Sequence, residues 1–249
     1  MAKSAHRPKS ALAKKASKKV PAKKTAPKRA VPAKKVAARK AAPAKKTAAR
    51  RRPTRLKIMV ASTIYGFEDQ LEQVCTTLKY YGYDVWNSHM KTIPVNPARS
   101  NAQNCLSAVE NCDALFGIIR PQYGSGIIGA TSITHQEMVR AVQLGKPRWF
   151  TAHRDINVAR QLLKQYMFDA ANNRVPGFTY RRTGIMDDIR VIDLYNETIR
   201  NDVDPALRVG HWVDEFFRVG DIMQYVLTQF EDVDRIRNIV DEMNNLPAA

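Results

Sequence analysis

Polar side chains that can bind or activate a ligand follow two apolar segments and open a helical one. They are Ser62, Thr63 and Tyr65 in the first group, Arg120 and Tyr123 in the second, and Ser132, Thr134 and Glu137 in the third. The hydroxyls can hydrogen-bond a sugar or a phosphate. The guanidinium of Arg120 can either bind a phosphate or shield the end of a strand. The glycines at 124, 126 and 129 fit neither a P-loop nor a dinucleotide fingerprint and are weak indicators of phosphate binding.

The segments around these residues alternate between short apolar runs and amphipathic stretches. Strands are predicted at 57–62, 83–87, 114–119 and 147–151, and helices at 68–81, 100–111 and 134–145. This alternation indicates an α/β fold with a doubly wound parallel sheet in flavodoxin-like order. In such sheets ligands bind beyond the carboxyl ends of the strands, where the strand order reverses. We therefore expect the three polar groups to meet at that edge.

Glu137 also has an interpretation that needs no ligand. Thr134 and Glu137 are spaced as a capping box, in which the glutamate accepts a hydrogen bond from the backbone of the cap residue. His135 is expected to be an exposed residue of the first helical turn rather than a base. The rest of the sequence contains no evident Ser/His/Asp triad or metal-ligand cluster.

Residues 153–249 are predicted to form a mainly helical extension. Within it, residues 190–195 are expected to form a short strand. Apolar residues recur at near-helical spacing from Ile222 to Val240. This stripe either packs on the sheet domain or provides a surface for self-association. The predicted organisation is a tail at 1–55, an α/β domain at 56–152 and the extension at 153–249.

Composition divides the chain and excludes several classes of protein. Residues 1–55, the tail, hold 21 of the 41 Lys and Arg residues and none of the 23 Asp and Glu residues. No apolar run has the length of a transmembrane helix or the pattern of a secretory signal. The 3 cysteines include no CxxC pair, which argues against a disulfide framework or a zinc site and favours a reducing cytoplasm.

The tail has the composition of a polyanion-binding segment. Its tetrapeptide Pro-Ala-Lys-Lys occurs at Pro21, Pro32 and Pro43, and prolines with dense charge predict disorder. Such a polycation neutralises phosphates without reading sequence, which predicts non-specific DNA or RNA binding and a nucleoid location, or a nuclear one in a eukaryote. The basic residues expected to make these contacts are Lys14, Lys15, Lys23, Lys24, Lys34, Lys35, Lys45, Lys46, Arg50, Arg51 and Arg52. A solubilising arm and an arm on an anionic membrane are the alternatives; the composition itself resembles the tails of linker histones and bacterial histone H1-like proteins.

Several motifs of the body, in order, resemble one family. They are Val-Ala-Ser-Thr at 60–63, Cys-Asp-Ala-Leu-Phe-Gly-Ile at 112–118, Tyr-Gly at 123–124, Ser-Ile-Thr-His-Gln-Glu at 132–137 and Gly-Lys-Pro at 145–147. They are similar to motifs of the TIR-like family called domain of unknown function 4062. The resemblance covers residues 56–152 and implies a flavodoxin-like or TIR-like sheet.

The same layout is similar to nucleoside 2-deoxyribosyltransferases and NAD-cleaving TIR domains, whose helix glutamate acts at the ribose during N-glycosidic bond cleavage. The resemblance implies that Glu137 is catalytic and that NAD or a nucleoside is the substrate or ligand. A carboxylate suits this chemistry because it stabilises or traps an oxocarbenium-like transition state. Ser62, Thr63 and Tyr123 would then hold the ribose or a phosphate.

Three functions of different classes follow. The first is an enzyme that cleaves or transfers at an N-glycosidic bond and is tethered to nucleic acid by the tail. The second is a non-catalytic module that senses a nucleotide or assembles as a homo-oligomer, for example in antiphage defence. The third is a histone-like architectural protein.

Overall fold

The computed structural model describes residues 55–124, 126–170 and 173–245. Its strands are β1 (Lys57–Ser62), β2 (Asp84–Trp86), β3 (Ala114–Ile119), β4 (Ile127–Ile128), β5 (Thr131–Ser132), β6 (Arg148–His153) and β7 (Val213–Phe216). Its helices are α1 (Glu68–Tyr81), α2 (Asn101–Asn111), α3 (Ile133–Gln143), α4 (Arg154–Met167), α5 (Arg190–Thr198), α6 (Val219–Phe230) and α7 (Val233–Asn245). The prediction of a disordered tail falls almost wholly on residues outside this part of the chain.

A five-stranded parallel sheet, in the order β2-β1-β3-β6-β7, forms the centre of the fold. The chain places β2 on one side of β1 and β3 on the other, so the strand order reverses between β1 and β3. The predicted α/β fold with a doubly wound parallel sheet is thereby confirmed.

Alternating side chains of the strands divide the core into two layers. On one face of β1, Ile58 and Val60 pack with residues of α1, α6 and α7. On the other face, Met59 and Ala61 pack with residues of α2, α3, α4 and α5. Both faces are apolar because a parallel sheet covered by helices on two sides has no solvated face.

Two parts of the C-terminal half differ from the sequence-based assignment. The predicted strand at 190–195 is wrong, because these residues begin α5, whose buried residues recur at helical spacing from Val191 to Thr198. A short apolar run does not by itself distinguish a strand from a buried helix. The strand at the edge of the central sheet, β7, was not predicted from the sequence. Only one of its four residues is buried.

Among the described residues, no helix has both the length and the apolar character needed to span a bilayer.

Candidate functional site

A cleft of about 1010 Å³ opens at the carboxyl ends of β1 and β3, where the strand order reverses. Segments that are distant in the sequence line it: the loop after β1, the loop after β2, the start and first turns of α2, the loop after β3 and the start of α3. Of the predicted site residues, the structure brings six to this cleft: Ser62, Thr63, Tyr65, Ser132, Thr134 and Glu137. Arg120 and Tyr123 do not line it.

The N-terminus of α3 is fixed to the loops around it. Ser132 is the N-cap residue, and its Oγ accepts a hydrogen bond from the backbone N–H of His135 at 3.2 Å. The N–H of Ile133 donates to the carbonyl of Gly126 at 2.8 Å. Because helix side chains project in a fixed order, anchoring this end also fixes where Glu137 points.

Glu137 is the buried carboxylate of the cleft. Only 5% of the residue is exposed, and burial raises the pKa of its carboxyl group from 4.5 to about 7. A hydrogen bond from the thiol of Cys105 acts in the opposite direction on that pKa. The capping-box interpretation of Thr134 and Glu137 is wrong, because Ser132 caps α3 and Glu137 lies beyond its first turn.

His135 joins the buried Tyr123 to the exposed Glu197 in a chain of hydrogen bonds. Its Nδ1 lies 2.6 Å from the hydroxyl of Tyr123, and its Nε2 lies 3.2 Å from Oε1 of Glu197. The hydroxyl of Tyr123 already accepts the N–H of Ser132 at 3.1 Å, so it is free to donate its own proton to Nδ1. With Nδ1 as the acceptor, Nε2 is the ring nitrogen placed to donate to Glu197.

This hydrogen-bond chain contains two residues, His135 and Tyr123, for which the sequence analysis made predictions. His135 is not an exposed residue of the first turn, since only 2% of it is accessible. Tyr123 is buried as well and supports the start of α3 rather than facing the cleft. The sequence gives no indication of this pairing because Tyr123, His135 and Glu197 come from three separate segments.

Arg120 braces the loop that follows β1. Its Nη1 donates to the carbonyls of Thr63 at 3.1 Å and Tyr65 at 2.9 Å. Its guanidinium lies 4.7 Å from the centre of the Phe67 ring, and burial lowers its pKa. These contacts hold Arg120 at the end of β3 and against the loop that follows β1.

The two hydroxyl residues after β1 differ in their hydrogen bonding. Ser62 donates from Oγ to the carbonyl of Thr63 at 3.2 Å. Thr63 is only 9% exposed, and its Oγ1 has no hydrogen-bond partner in the described part of the chain. Tyr65, at 89% exposure, stands at the rim. A buried hydroxyl without a partner is costly, and this one belongs to a residue that lines the cleft.

A family comparison bears on the whole of this region. The model of the family described as Domain of unknown function (DUF4062) matches residues 57–231. The chain belongs to this family. The match runs well past the segment in which the sequence motifs were recognised and includes β7 and α6. Comparison with curated proteins returns no match.

Several cleft residues of the DUF4062 domain are not apparent from its sequence. Lys91 follows β2 in a turn held by Asn87, whose Oδ1 accepts the N–H of Met90 at 3.0 Å. The turn gives Lys91 a φ of 54°, which is uncommon for a residue other than glycine. Cys105 and Arg182 also line the cleft, and nothing in their spacing links them to Glu137.

The described residues of the DUF4062 domain contain no group of three or more His, Cys, Asp or Glu side chains placed to hold a metal ion. Cys75, Cys105 and Cys112 are free thiols. Burial raises the pKa of Cys105 to about 12, with the charge of Glu137 acting in the same direction. Cys105 is therefore a hydrogen-bond donor at neutral pH rather than a thiolate nucleophile.

Proposed function

We propose that this DUF4062 domain binds a nucleoside or nucleotide in the cleft and cleaves its N-glycosidic bond with Glu137. The observation that supports this most directly is the burial of Glu137 in a cleft at the switch point of the sheet. Carboxyl groups are rarely buried without a charged partner, and perturbed ionisable groups cluster at functional sites. The motif resemblance to nucleoside 2-deoxyribosyltransferases and TIR domains points to the same position.

The chemistry assigns a role to the ionised form of Glu137. As the bond between the base and C1′ of the ribose breaks, positive charge develops at C1′. A carboxylate next to C1′ stabilises that charge or attacks it to form a covalent intermediate. A pKa of about 7 leaves a substantial ionised fraction at neutral pH.

The experiment compares the purified chain with Glu137→Gln and Glu110→Gln, using NAD and a panel of nucleosides, and follows base release by chromatography. Glu110 is a matched control because it lies half-exposed on α2, paired with Arg140 at 2.7 Å. We expect base release by the wild type and by Glu110→Gln, and none by Glu137→Gln. If these proteins bind NAD or a nucleoside but none of them releases the base, the domain is a sensing module and the proposed glycosidase activity is wrong.

We also propose that the tail attaches this domain to DNA or RNA. The support is compositional: 21 basic residues and no acidic ones within residues 1–55. Attachment through phosphates alone makes the tail a localising element, in keeping with nucleoid association, and leaves ligand choice to the cleft.

A further inference from the structure

Among the described residues, no ion pair joins the cationic and acidic side chains that line the cleft. Lys91 and Arg182 line it from two different segments. Neither side chain has an ion-pair or hydrogen-bond partner among the described residues. Two cations at one cavity, each without a pairing partner among the described residues, can both pair with an anionic ligand.

Two of the acidic side chains in the same cleft, Glu68 and Asp187, interact with backbone N–H groups. Hydrogen bonds from the N–H groups of Glu68 and Gly66 lower the pKa of the Glu68 carboxyl group. Oδ1 of Asp187 accepts the N–H of Tyr123 at 2.8 Å. Neither carboxylate forms an ion pair with Lys91 or Arg182.

Thr63 adds a hydroxyl without a protein partner among the described residues to the lining of the cleft. It is the unpartnered Oγ1 described above, at the carboxyl end of β1. Gly124 packs against the same side chain, and a Cβ at Gly124 would lie 2.9 Å from Cγ2 of Thr63. The chain after β3 thus approaches Thr63 closely, and a side chain at residue 124 would crowd it.

We infer that the cleft contains a phosphate subsite formed by Thr63, Lys91 and Arg182, and that its ligand is a phosphorylated nucleoside rather than a free nucleoside. This rests on the proposed function, in which Glu137 acts at the ribose. A phosphate oxygen accepts from the hydroxyl of Thr63, and its charge pairs with the two cations. The volume of about 1010 Å³ is at the upper end of the roughly 300–1000 Å³ typical of small-molecule sites, which leaves room for phosphates beside the nucleoside.

The test measures binding to the full-length chain by calorimetry, with adenosine, guanosine, cytidine and uridine each compared with its 5′-monophosphate. The variants are Lys91→Met, Arg182→Met, their double variant and Thr63→Val. The matched controls are Lys164→Met and Arg181→Met, which replace exposed cations outside the cleft. The tail also attracts phosphates, but that background is the same in every variant.

We expect at least one monophosphate to bind more tightly than its nucleoside. Each cleft substitution should weaken that monophosphate about tenfold, because a hydrogen bond to a charged group is lost, and leave the nucleoside unchanged. If the double variant still binds the monophosphate more tightly than the nucleoside, the proposed phosphate subsite is wrong. Glu137-dependent turnover of nucleosides without any phosphate preference would overturn this inference alone, whereas no binding of either class would overturn the proposed function as well.

Discussion

Cys105 on α2 and Glu137 on α3 line the same cleft, where hydrogen bonding with the Cys105 thiol lowers the pKa of the Glu137 carboxyl group. The bond favours the ionised form of Glu137, whereas burial favours the protonated form. The ionisation of Glu137 is consequently influenced by a residue of a different helix that lies 32 positions earlier in the sequence.

Replacement of Cys105 should move the pH dependence of turnover. Cys105→Ala removes the donor, so the pKa of Glu137 should rise further and the acidic limb of the pH–rate profile should shift upward by about 0.5–1 pH unit. Cys105→Ser keeps a donor and should remain close to the wild type. A profile in Cys105→Ala that coincides with that of the wild type would show that the thiol has no influence on Glu137.

Glu137 should make the protein less stable as the pH rises. Below pH 4.5 the carboxyl group is protonated in both the folded and unfolded states; between 4.5 and about 7 the unfolded chain loses its proton first. The free energy of unfolding should therefore fall by about 3 kcal/mol relative to Glu137→Gln across this interval, and the difference should be constant above it.

Urea unfolding of the two proteins at several pH values measures this difference. Other titrating groups cancel because they are common to both proteins. The half-exposed Glu110 provides the control, since Glu110→Gln should show no comparable change. A difference that stays constant from pH 4 to pH 8 would contradict a raised pKa at Glu137.

Tyr123→Phe should destabilise the fold and disturb the start of α3. The change leaves the N–H of Ser132 and the Nδ1 of His135 without the partner they share, and each buried unsatisfied group costs about 1–3 kcal/mol. Tyr65→Phe is the matched control, because Tyr65 is exposed and its hydroxyl has no partner within the part of the chain that the structure describes. Equal free energies of unfolding for the two variants would exclude a supporting role for the Tyr123 hydroxyl.

Two glycine-to-alanine changes should have opposite effects on stability. At Gly117 in β3, a Cβ would lie 2.5 Å from the ring of the fully buried Phe150, so Gly117→Ala should cost about 1–3 kcal/mol. At Gly220 in α6, a Cβ meets nothing within 4 Å, so Gly220→Ala should gain roughly 0.5–1 kcal/mol through helix propensity. Thermal and urea unfolding measure both, and a neutral Gly117→Ala would mean that the strands separate easily at this point.

Deletion of residues 1–55 should abolish binding to DNA and leave the unfolding transition of the rest unchanged. Binding by the full chain should weaken steeply with salt and show little preference among sequences. Filter binding or fluorescence anisotropy with random-sequence duplexes at several salt concentrations tests both points. DNA binding retained by the shortened chain would place the interface in the body instead.

The architecture follows from the sequence because its signals are local. In α1, Leu71, Val74, Cys75 and Leu78 recur at helical spacing and are all buried, and Gly82 ends the helix with a φ of 106°. The strand ends that carry Ser62 and Thr63 also follow from pattern alone. Once strands and helices alternate, the rules for parallel sheets fix which edge these residues share.

The details of the site do not follow from the sequence because they depend on contacts between distant segments. Cys105 meets Glu137 only because α2 packs against α3, and Glu197 reaches His135 from α5. The unusual conformation of Lys91 depends on Asn87, whose Nδ2 donates to the carbonyl of Val60 in β1 at 2.9 Å. Linear spacing carries no signal for such three-dimensional pairings.

The position of β7 has a consequence for synthesis of the protein. A ribosome releases β6 well before β7, and residues 154–212 separate the two strands. Until β7 emerges, the outer edge of β6 presents unpaired N–H and C=O groups, which can pair with any other extended chain. A polypeptide that ends within this interval keeps the edge of β6 unpaired and is prone to aggregate. The sheet is therefore completed only when most of the domain has been translated.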